Sequence, residues 1–372
     1  MTEPDWDTHL QQQLDERAST GQLRRLPPPL DGRPDFCSND YLGLARLAQL
    51  RLQVAHLAQD APTGSTGSRL LAGNSELAMQ VEAQIAAYHG AEAGLLFASG
   101  YQANVGLFQA LAGRGDTILY DEHIHASMRD GIRLSLAQAF RFRHNDLDDL
   151  QARLARVPQP GTGRVLIAVE ALYSMEGDTA PLGALAQLCA RTGARLVVDE
   201  AHSNGILGPQ GRGLATHPAI APWCLARVYT FGKALGSHGA IVLGSTTLRD
   251  YLVNFCRSFI YTTAPPAHTL YTLQAAYQLL PGLEAERQLL QVHTGRLRAA
   301  LQASGRPFVG GDSPIFGVLA GGDMAQLLQA LAPVQVLPVR SPTVARGQER
   351  VRICLHSFNT PDDVSLLIGC LS

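Results

Sequence analysis

Between Ala93 and Leu243 this chain of 372 residues carries a succession of short, almost wholly apolar runs. They are Ala93-Gly94-Leu95-Leu96-Phe97, Asp116 to Tyr120, RVLIAVEAL at 164–172, RLVV at 195–198, Val228-Tyr229-Thr230-Phe231 and Ala240 to Leu243. Runs this short and this continuously apolar, alternating with helical segments, predict strands buried on both faces. The fold class is therefore α/β, with a parallel sheet covered by helices on each side. In such sheets ligands collect beyond the carboxyl ends of the strands. Here those ends lead into Gly100, His125, Ser174, Asp199 with His202, and Thr230 with Lys233, so five strand ends deliver polar groups to one edge.

The flanking segments extend this frame. Residues 5–26 read as a polar amphipathic helix with Trp6, Leu10, Leu14 and Leu23 as apolar points, ended by Pro27-Pro28-Pro29. Residues 35–45, DFCSNDYLGLA, read as a short strand running into a turn. Residues 63–74, TGSTGSRLLAGN, form a glycine-rich loop suited to close backbone approach, without the GxxxxGK[ST] pattern of a Walker A loop. Leu77, Val81, Ile85 and Tyr88 mark a helix over 75–89 with Ser75 as N-cap. Ser99 to Asn104 turns the first strand into a helix that runs through Leu111, and a helix start of this kind is an anion site, typically for phosphate. A further helix is expected over 182–191. Beyond Tyr261 to Pro266 come long Leu/Ala/Gln helices over 268–304. A smaller α+β lobe follows, with strands at 315–319, 334–339 and 351–356 and a closing helix at 361–371. The expected division is an N-terminal arm at 1–41, a large domain at 42–280 and a small domain at 281–372.

A formal net charge of -2 and a pI near 6.6 provide no basic field for a nucleic-acid backbone. Six dispersed cysteines, Cys37, Cys189, Cys224, Cys256, Cys354 and Cys370, form no CxxC pair and fit reduced thiols. The acidic, polar amino terminus and the absence of a bilayer-length apolar stretch point to a cytoplasmic protein without membrane partners. His123 and His125 lie beside Asp121 and Glu122, but without a third well-spaced ligand no metal is expected.

The chemistry centres on Lys233. It is the only lysine; every other one of the 30 basic Lys and Arg side chains is arginine. A lysine kept where arginine serves everywhere else suggests an amine that must lose its proton and attack a carbonyl, which a guanidinium cannot do. Such a Schiff base requires an aldehyde cofactor, and pyridoxal 5′-phosphate (PLP) is the one that a folded site retains. Asp199 suits a protonated ring nitrogen, His202 and Ser174 suit the phenolic oxygen, His125 can lie over the ring, and the Gly100/Tyr101 helix start with Thr230 suits phosphate. A DEAH helicase box at 199–202 is excluded because no P-loop lysine precedes it.

The motifs NDYLGLA, GSTGSR, SGYQAN, HIHAS, EALYSMEGDTAPL, VVDEAH, TFGKALGSHGA, FIYTTAPP and VRSPTV occur in the order and approximate spacing of the α-oxoamine synthases, over roughly residues 35–360. The chain resembles that family of fold-type I PLP enzymes, which condense an amino acid with an acyl thioester and release carbon dioxide. The resemblance implies a mainly parallel seven-stranded large domain, a smaller α+β carboxy-terminal domain, an N-terminal helical arm and a homodimer. Its small-molecule partners would be an amino acid and an acyl thioester of coenzyme A or of acyl carrier protein.

By the same resemblance Lys233 is the Schiff-base lysine, Asp199 the ring-nitrogen partner, His202 and Ser174 the O3′ contacts, and His125 the stacking and acid/base residue. Gly100, Tyr101 and Thr230 would hold phosphate, with Thr262 or Thr263 reaching the neighbouring subunit's phosphate. Arg340 would clamp the substrate carboxylate, Asn39 would face substrate, and Ser68 stands where glycine-specific members carry threonine. Ser203, Asn204 and His238 depart from the family's motifs, which implies altered acyl or thioester preference. An aminotransferase would carry an arginine soon after the lysine, and none occurs before Arg249. A purely regulatory PLP-binding protein would show damaged acid/base residues, yet each is present.

Overall fold

The computed structural model describes residues 5–26, 29, 31–157 and 163–371. Helix α1 spans Trp6–Ser19 and buries none of its residues. It is shorter than expected because Gly21, at φ +69°, turns the chain in the left-handed region; Pro27 and Pro28 lie outside the described residues. The segment 35–45, expected as a short strand running into a turn, makes only a single bridge, Asp35 with Gln335, before its turn and a short 3₁₀ segment at Leu44–Arg46. Its backbone is taken up by the small lobe: Phe36 N donates to Gln335 O at 2.9 Å, and Phe36 O accepts from Cys354 N at 2.8 Å.

After α2 (Ala48–Leu57) and α3 (Glu76–Tyr88) the large sheet begins. Its strands and their connecting helices follow in order as β1 (Ala93–Phe97), α4 (Gly100–Leu111), β2 (Thr117–Asp121), α5 (Ala126–Leu134), β3 (Gln138–Phe142), α6 (Leu147–Leu154), β4 (Val165–Glu170), α7 (Leu182–Thr192), β5 (Arg195–Asp199), β6 (Cys224–Thr230) and β7 (Ala240–Gly244). The spatial order is β1-β7-β6-β5-β4-β2-β3, parallel throughout except for β7, which runs antiparallel to both neighbours. Strand β3 has no counterpart among the apolar runs. It is an edge strand, and its sequence QAFRF is exposed up to its last residue.

Burial on both faces follows the alternation of side chains along each strand. Leu166, Val197, Val228 and Val242 pack with Leu107 and Met128 of α4 and α5 and with Leu252 of the helix that follows β7. Ile167, Leu196 and Val198 pack instead with Leu150, Leu185 and Leu188 from α6 and α7. The chain continues through α8 (Thr246–Phe255), α9 (Arg257–Ile260), α10 (Ala267–Leu279) and α11 (Glu284–Ser304). A four-stranded antiparallel sheet of order β10-β11-β9-β8 follows, built from β8 (Phe308–Gly310), β9 (Ile315–Leu319), β10 (Leu337–Val339) and β11 (Arg350–Cys354), with α12 (Met324–Ala330) and the closing α13 (Pro361–Leu371). No helix among the described residues is long and apolar enough to cross a membrane.

The small sheet docks on the turn that follows β4. Arg350 and Arg352 donate to the carbonyls of Met175 and Ser174 at 3.2 and 2.7 Å. Ser313 Oγ donates to Gly177 O at 2.8 Å. Gly177 is left-handed at φ +72°, and a Cβ there would fall 2.2 Å from Ile315 O.

Candidate active site

At the carboxyl edge of the large sheet a cavity of about 260 Å³ is lined by residues from the ends of β1, β4, β5 and β6, from α4, and from the loops carrying Asn39 and His125. Strand β6 leaves the sheet at Thr230 and returns as β7, so the intervening turn is tied at both ends. Phe231 N donates to Gly239 O at 3.0 Å, and Ser237 N donates to Phe231 O at 2.8 Å. Within this turn Gly236 is left-handed at φ +59°, and a Cβ there would lie 2.2 Å from Ala45 N; only glycine allows the approach. The turn carries Lys233, whose Nζ lies 3.4 Å from Thr230 Oγ1. Burial draws the amine below the usual lysine range, with Asp199 and Glu170 acting against the shift.

Asp199 closes β5 opposite Glu170 of β4 and is nearly sealed from solvent. Its Oδ1 accepts from Ala201 N at 2.8 Å and its Oδ2 from Asn104 Nδ2 at 2.7 Å. Asn104 Nδ2 also reaches Ser127 Oγ at 3.0 Å, and Ser127 Oγ lies 2.7 Å from His125 Nδ1. One hydrogen-bonded chain therefore links the carboxylate, α4 and the His125 loop. Burial holds His125 below its ordinary value, opposed by Asp199. His202 is held well below, by burial first and by Lys233 second; its Nδ1 is 2.8 Å from the Tyr41 hydroxyl, which donates to Asn39 Oδ1 at 3.2 Å. The carboxyl of Glu170 is pushed well above the usual range, by burial and then by Asp199.

Helix α4 aims its start into the same cavity. Ser99 caps it, its Oγ accepting from Gln102 N at 3.2 Å, so the Gly100 and Tyr101 amides are the initial N–H groups left for a ligand. A Cβ at Gly100 would lie 2.4 Å from Thr230 Cγ2, so glycine keeps the cradle open. Two buried oxygens facing the cavity, Glu170 Oε1 and Asn104 Oδ1, lack a hydrogen-bond partner. A half-buried amine, a fixed carboxylate and open amides at a helix start fit the aldehyde, ring nitrogen and phosphate of PLP.

Eight residues singled out from sequence line this cavity together: Asn39, Gly100, Tyr101, His125, Asp199, His202, Thr230 and Lys233. Others lie elsewhere. Ser174 stands on the turn beyond β4, where its carbonyl accepts from Arg352. Ser68 and Thr263 face one another in an isolated bridge, with Thr262 beside them, outside the cavity lining. Arg340 is exposed on the loop after β10 and is likewise absent from the lining. Of the motif departures, Ser203 and Asn204 are buried beneath the site, bonded to Glu200 and to Thr230 O, and only His238 faces the cavity.

Sequence reasoning missed Glu170, Asn104, Ser127, Tyr41 and Arg352. Glu170 was detectable as the one carboxylate inside RVLIAVEAL, and Arg352 as a cation inside a buried strand. Arg352 Nη2 lies 2.9 Å from Asn39 Oδ1. A larger cavity, about 1060 Å³, opens at the amino edge of the sheet, but its one lining carboxylate, Asp116, is tied to Arg164 at 2.8 Å.

The model of the family described as aminotransferase class I and II matches residues 34–368. An 8-amino-7-oxononanoate synthase of Emericella nidulans is 41% identical over 91% of this chain and 88% of its own length. Among solved structures, the 8-amino-7-oxononanoate synthase of Francisella tularensis aligns with a TM-score of 0.77 at 29% identity, over 92% of this chain and 98% of its own. A serine palmitoyltransferase from S. paucimobilis, solved with a bound PLP–myriocin conjugate, aligns with a TM-score of 0.89 at 27% identity, over 97% and 95%. A single half-buried lysine sharing a cavity with a strand-end aspartate, on a sheet of this order and with relatives of this kind along most of its length, leaves one placement: the chain belongs to the aminotransferase class I and II family.

Proposed function

We propose that this enzyme condenses L-alanine with a pimeloyl thioester, carried by coenzyme A or acyl carrier protein, to give 8-amino-7-oxononanoate and carbon dioxide in biotin synthesis. The observation that carries the reading is the half-buried Lys233 amine sharing one cavity with Asp199, in a chain 41% identical to a relative named for that product. Lys233 would hold PLP, Gly100, Tyr101 and Thr230 its phosphate, Asp199 its ring nitrogen, and His202 its phenolic oxygen. When bound, PLP supplies an electron sink for the carbon next to the substrate nitrogen.

The chain's own side chains do the rest. Asp199 keeps a proton at the ring nitrogen because Asn104 and Ala201 N hold the carboxylate in place. His125, with Nδ1 turned to Ser127, keeps Nε2 free to move a proton at the reacting carbon. The closed turn around Lys233 returns its amine to the same position after each turnover.

The substrate carboxylate needs a guanidinium. Arg340 matches the family motif, whereas Arg352 is buried with Nη2 on Asn39 of the cavity. We expect Arg340→Ala and Arg352→Ala to divide the two roles: the variant that raises the KM for alanine by 10-fold or more, a loss of about 1.4 kcal/mol or more, marks the clamp. The reading as a whole is tested by assaying the purified protein with L-alanine, glycine and L-serine against pimeloyl, acetyl and palmitoyl thioesters. Alanine with the pimeloyl thioester should be the fastest pair. Faster turnover of glycine with every thioester would replace this reading with that of a 2-amino-3-ketobutyrate ligase. Serine with the palmitoyl thioester would replace it with that of a serine palmitoyltransferase, the activity of solved neighbours with this fold.

A further inference from the structure

Next to the cavity, on the side of β3, lies a cluster that the reaction above does not use. His144 follows β3, and both its ring nitrogens meet carboxylates: Nδ1 lies 2.9 Å from Asp121 Oδ1, and Nε2 lies 2.9 Å from Asp178 Oδ2. A neutral imidazole has one N–H, so only the doubly protonated ring satisfies two ionised carboxylates at once. The ring also stacks on His123, with centroids 4.3 Å apart, and stands edge-on to Tyr173 at 4.5 Å. His123 faces Glu176 at 3.4 Å, and Glu176 faces Arg350 of the small sheet at 3.8 Å. The backbone N–H of His144 donates to Glu122 Oε1 at 3.2 Å, and Asn145 Nδ2 donates to Asp178 Oδ2 at 2.9 Å.

Asp121 is the fixed point of this cluster. It ends β2, has no solvent exposure, and accepts from the backbone N–H groups of both His123 and Asn145 at 2.8 Å. The loop it pins, between β2 and α5, carries His125 two residues beyond His123. That loop is thus held from three directions: by β2, by the segment after β3, and by the turn after β4 on which the small sheet docks.

We propose that His144 is a positioning residue for His125, bridging Asp121 and Asp178 so that the β2–α5 loop keeps the His125 ring directed into the cavity. The charge on the bridge persists over the working range. Although burial opposes it, the hydrogen bonds to Asp121 and Asp178 raise His144 to about 10. The role rests on the reading of His125 as the proton-transferring residue of the proposed condensation.

Two measurements on the full chain test it. In spectra of protein with ¹⁵N-labelled histidine, recorded without substrate, His144 should carry protons on both ring nitrogens at neutral pH, and His144→Gln should displace the ring signals of His125. In a double-variant cycle, His144→Gln should lower kcat on the order of 10- to 100-fold when His125 is present, leaving the amino-acid KM within about two-fold. In a His125→Ala background the same change should cost less than about two-fold. Should His144→Gln fail to fold, Asp178→Asn removes the outer carboxylate at a partly exposed side chain and should give the same pattern in weaker form. Unmoved His125 signals, or equal losses of kcat in both backgrounds, would overturn the proposal. A wild type that condenses none of the thioesters would sink the proposed reaction instead, and the spectra would still decide the positioning.

Discussion

At the scale of single residues the site turns on Lys233 and Asp199. Since the chain has no other lysine, Lys233→Ala leaves no side-chain amine to substitute for it. Borohydride should fix cofactor to one peptide of the wild type and to none of the variant; a reducible adduct that survives the substitution would refute the assignment. Asp199→Asn preserves shape but removes the charge at the ring nitrogen, and oriented electrostatic partners are worth on the order of 2.7–4 kcal/mol of barrier. Turnover should fall about 10²- to 10³-fold with little change in melting temperature, and near-normal kcat would contradict the role. Lys233 was legible because of its rarity. Glu170 stood out only as a carboxyl within an apolar run, and its place beside Asp199 comes from the pairing of β4 with β5.

At the scale of elements, the strands buried on both faces were legible and the others were not. β3 escapes because an exposed edge strand need not be apolar, and the short strand expected at the start of 35–45 does not form because its backbone hydrogen bonds go to the small lobe. Helix α4 could be placed from Ser99 and the glycine after it. The turn after β4 offers a test of the docking between lobes. Gly177→Ala forces a left-handed alanine against Ile315 O, so unfolding in denaturant should show a loss of about 1–3 kcal/mol. The cluster after β3 sets a pH dependence of stability. His144 is raised to about 10 in the folded chain, whereas the unfolded chain has the ordinary histidine value. Its stabilisation is complete below about 6.5 and disappears as pH rises through about 10. The melting temperature should fall across that window in the wild type, and the fall should be shallower in His144→Gln.

At the scale of the whole molecule, three predicted site residues that the cavity leaves out, Ser68, Thr262 and Thr263, lie together. Ser68 and Thr263 are bridged, Ala264 N donates to Gly67 O at 3.0 Å, and Leu71 and Tyr261 beside them are 84% and 74% exposed. Helix α1 adds an uncovered stripe of Trp6, Leu10 and Leu14. Apolar groups exposed in this number favour burial against a second copy, and we expect a homodimer in which Ser68, Thr262 and Thr263 serve the neighbouring cavity. Sedimentation should give twice the 39.9 kDa chain mass, and a fully active monomer would refute the expectation. The family resemblance assigns Thr262 or Thr263 to the neighbouring subunit, whereas composition, periodicity and spacing make no such distinction.

The one antiparallel strand of the large sheet has a further consequence. Every parallel neighbour must be reached by a long crossover, so the turns at those strand ends depend on how a covering helix happens to sit. Because β7 runs back alongside β6, the segment bearing Lys233 is instead a short span fastened at both feet to interior strands of the sheet. The reactive amine is therefore insulated from drift in the outer layers. Helices and loops around the cavity can be exchanged while Lys233 keeps its place, which makes the periphery, rather than the lysine turn, the part of this scaffold open to redesign.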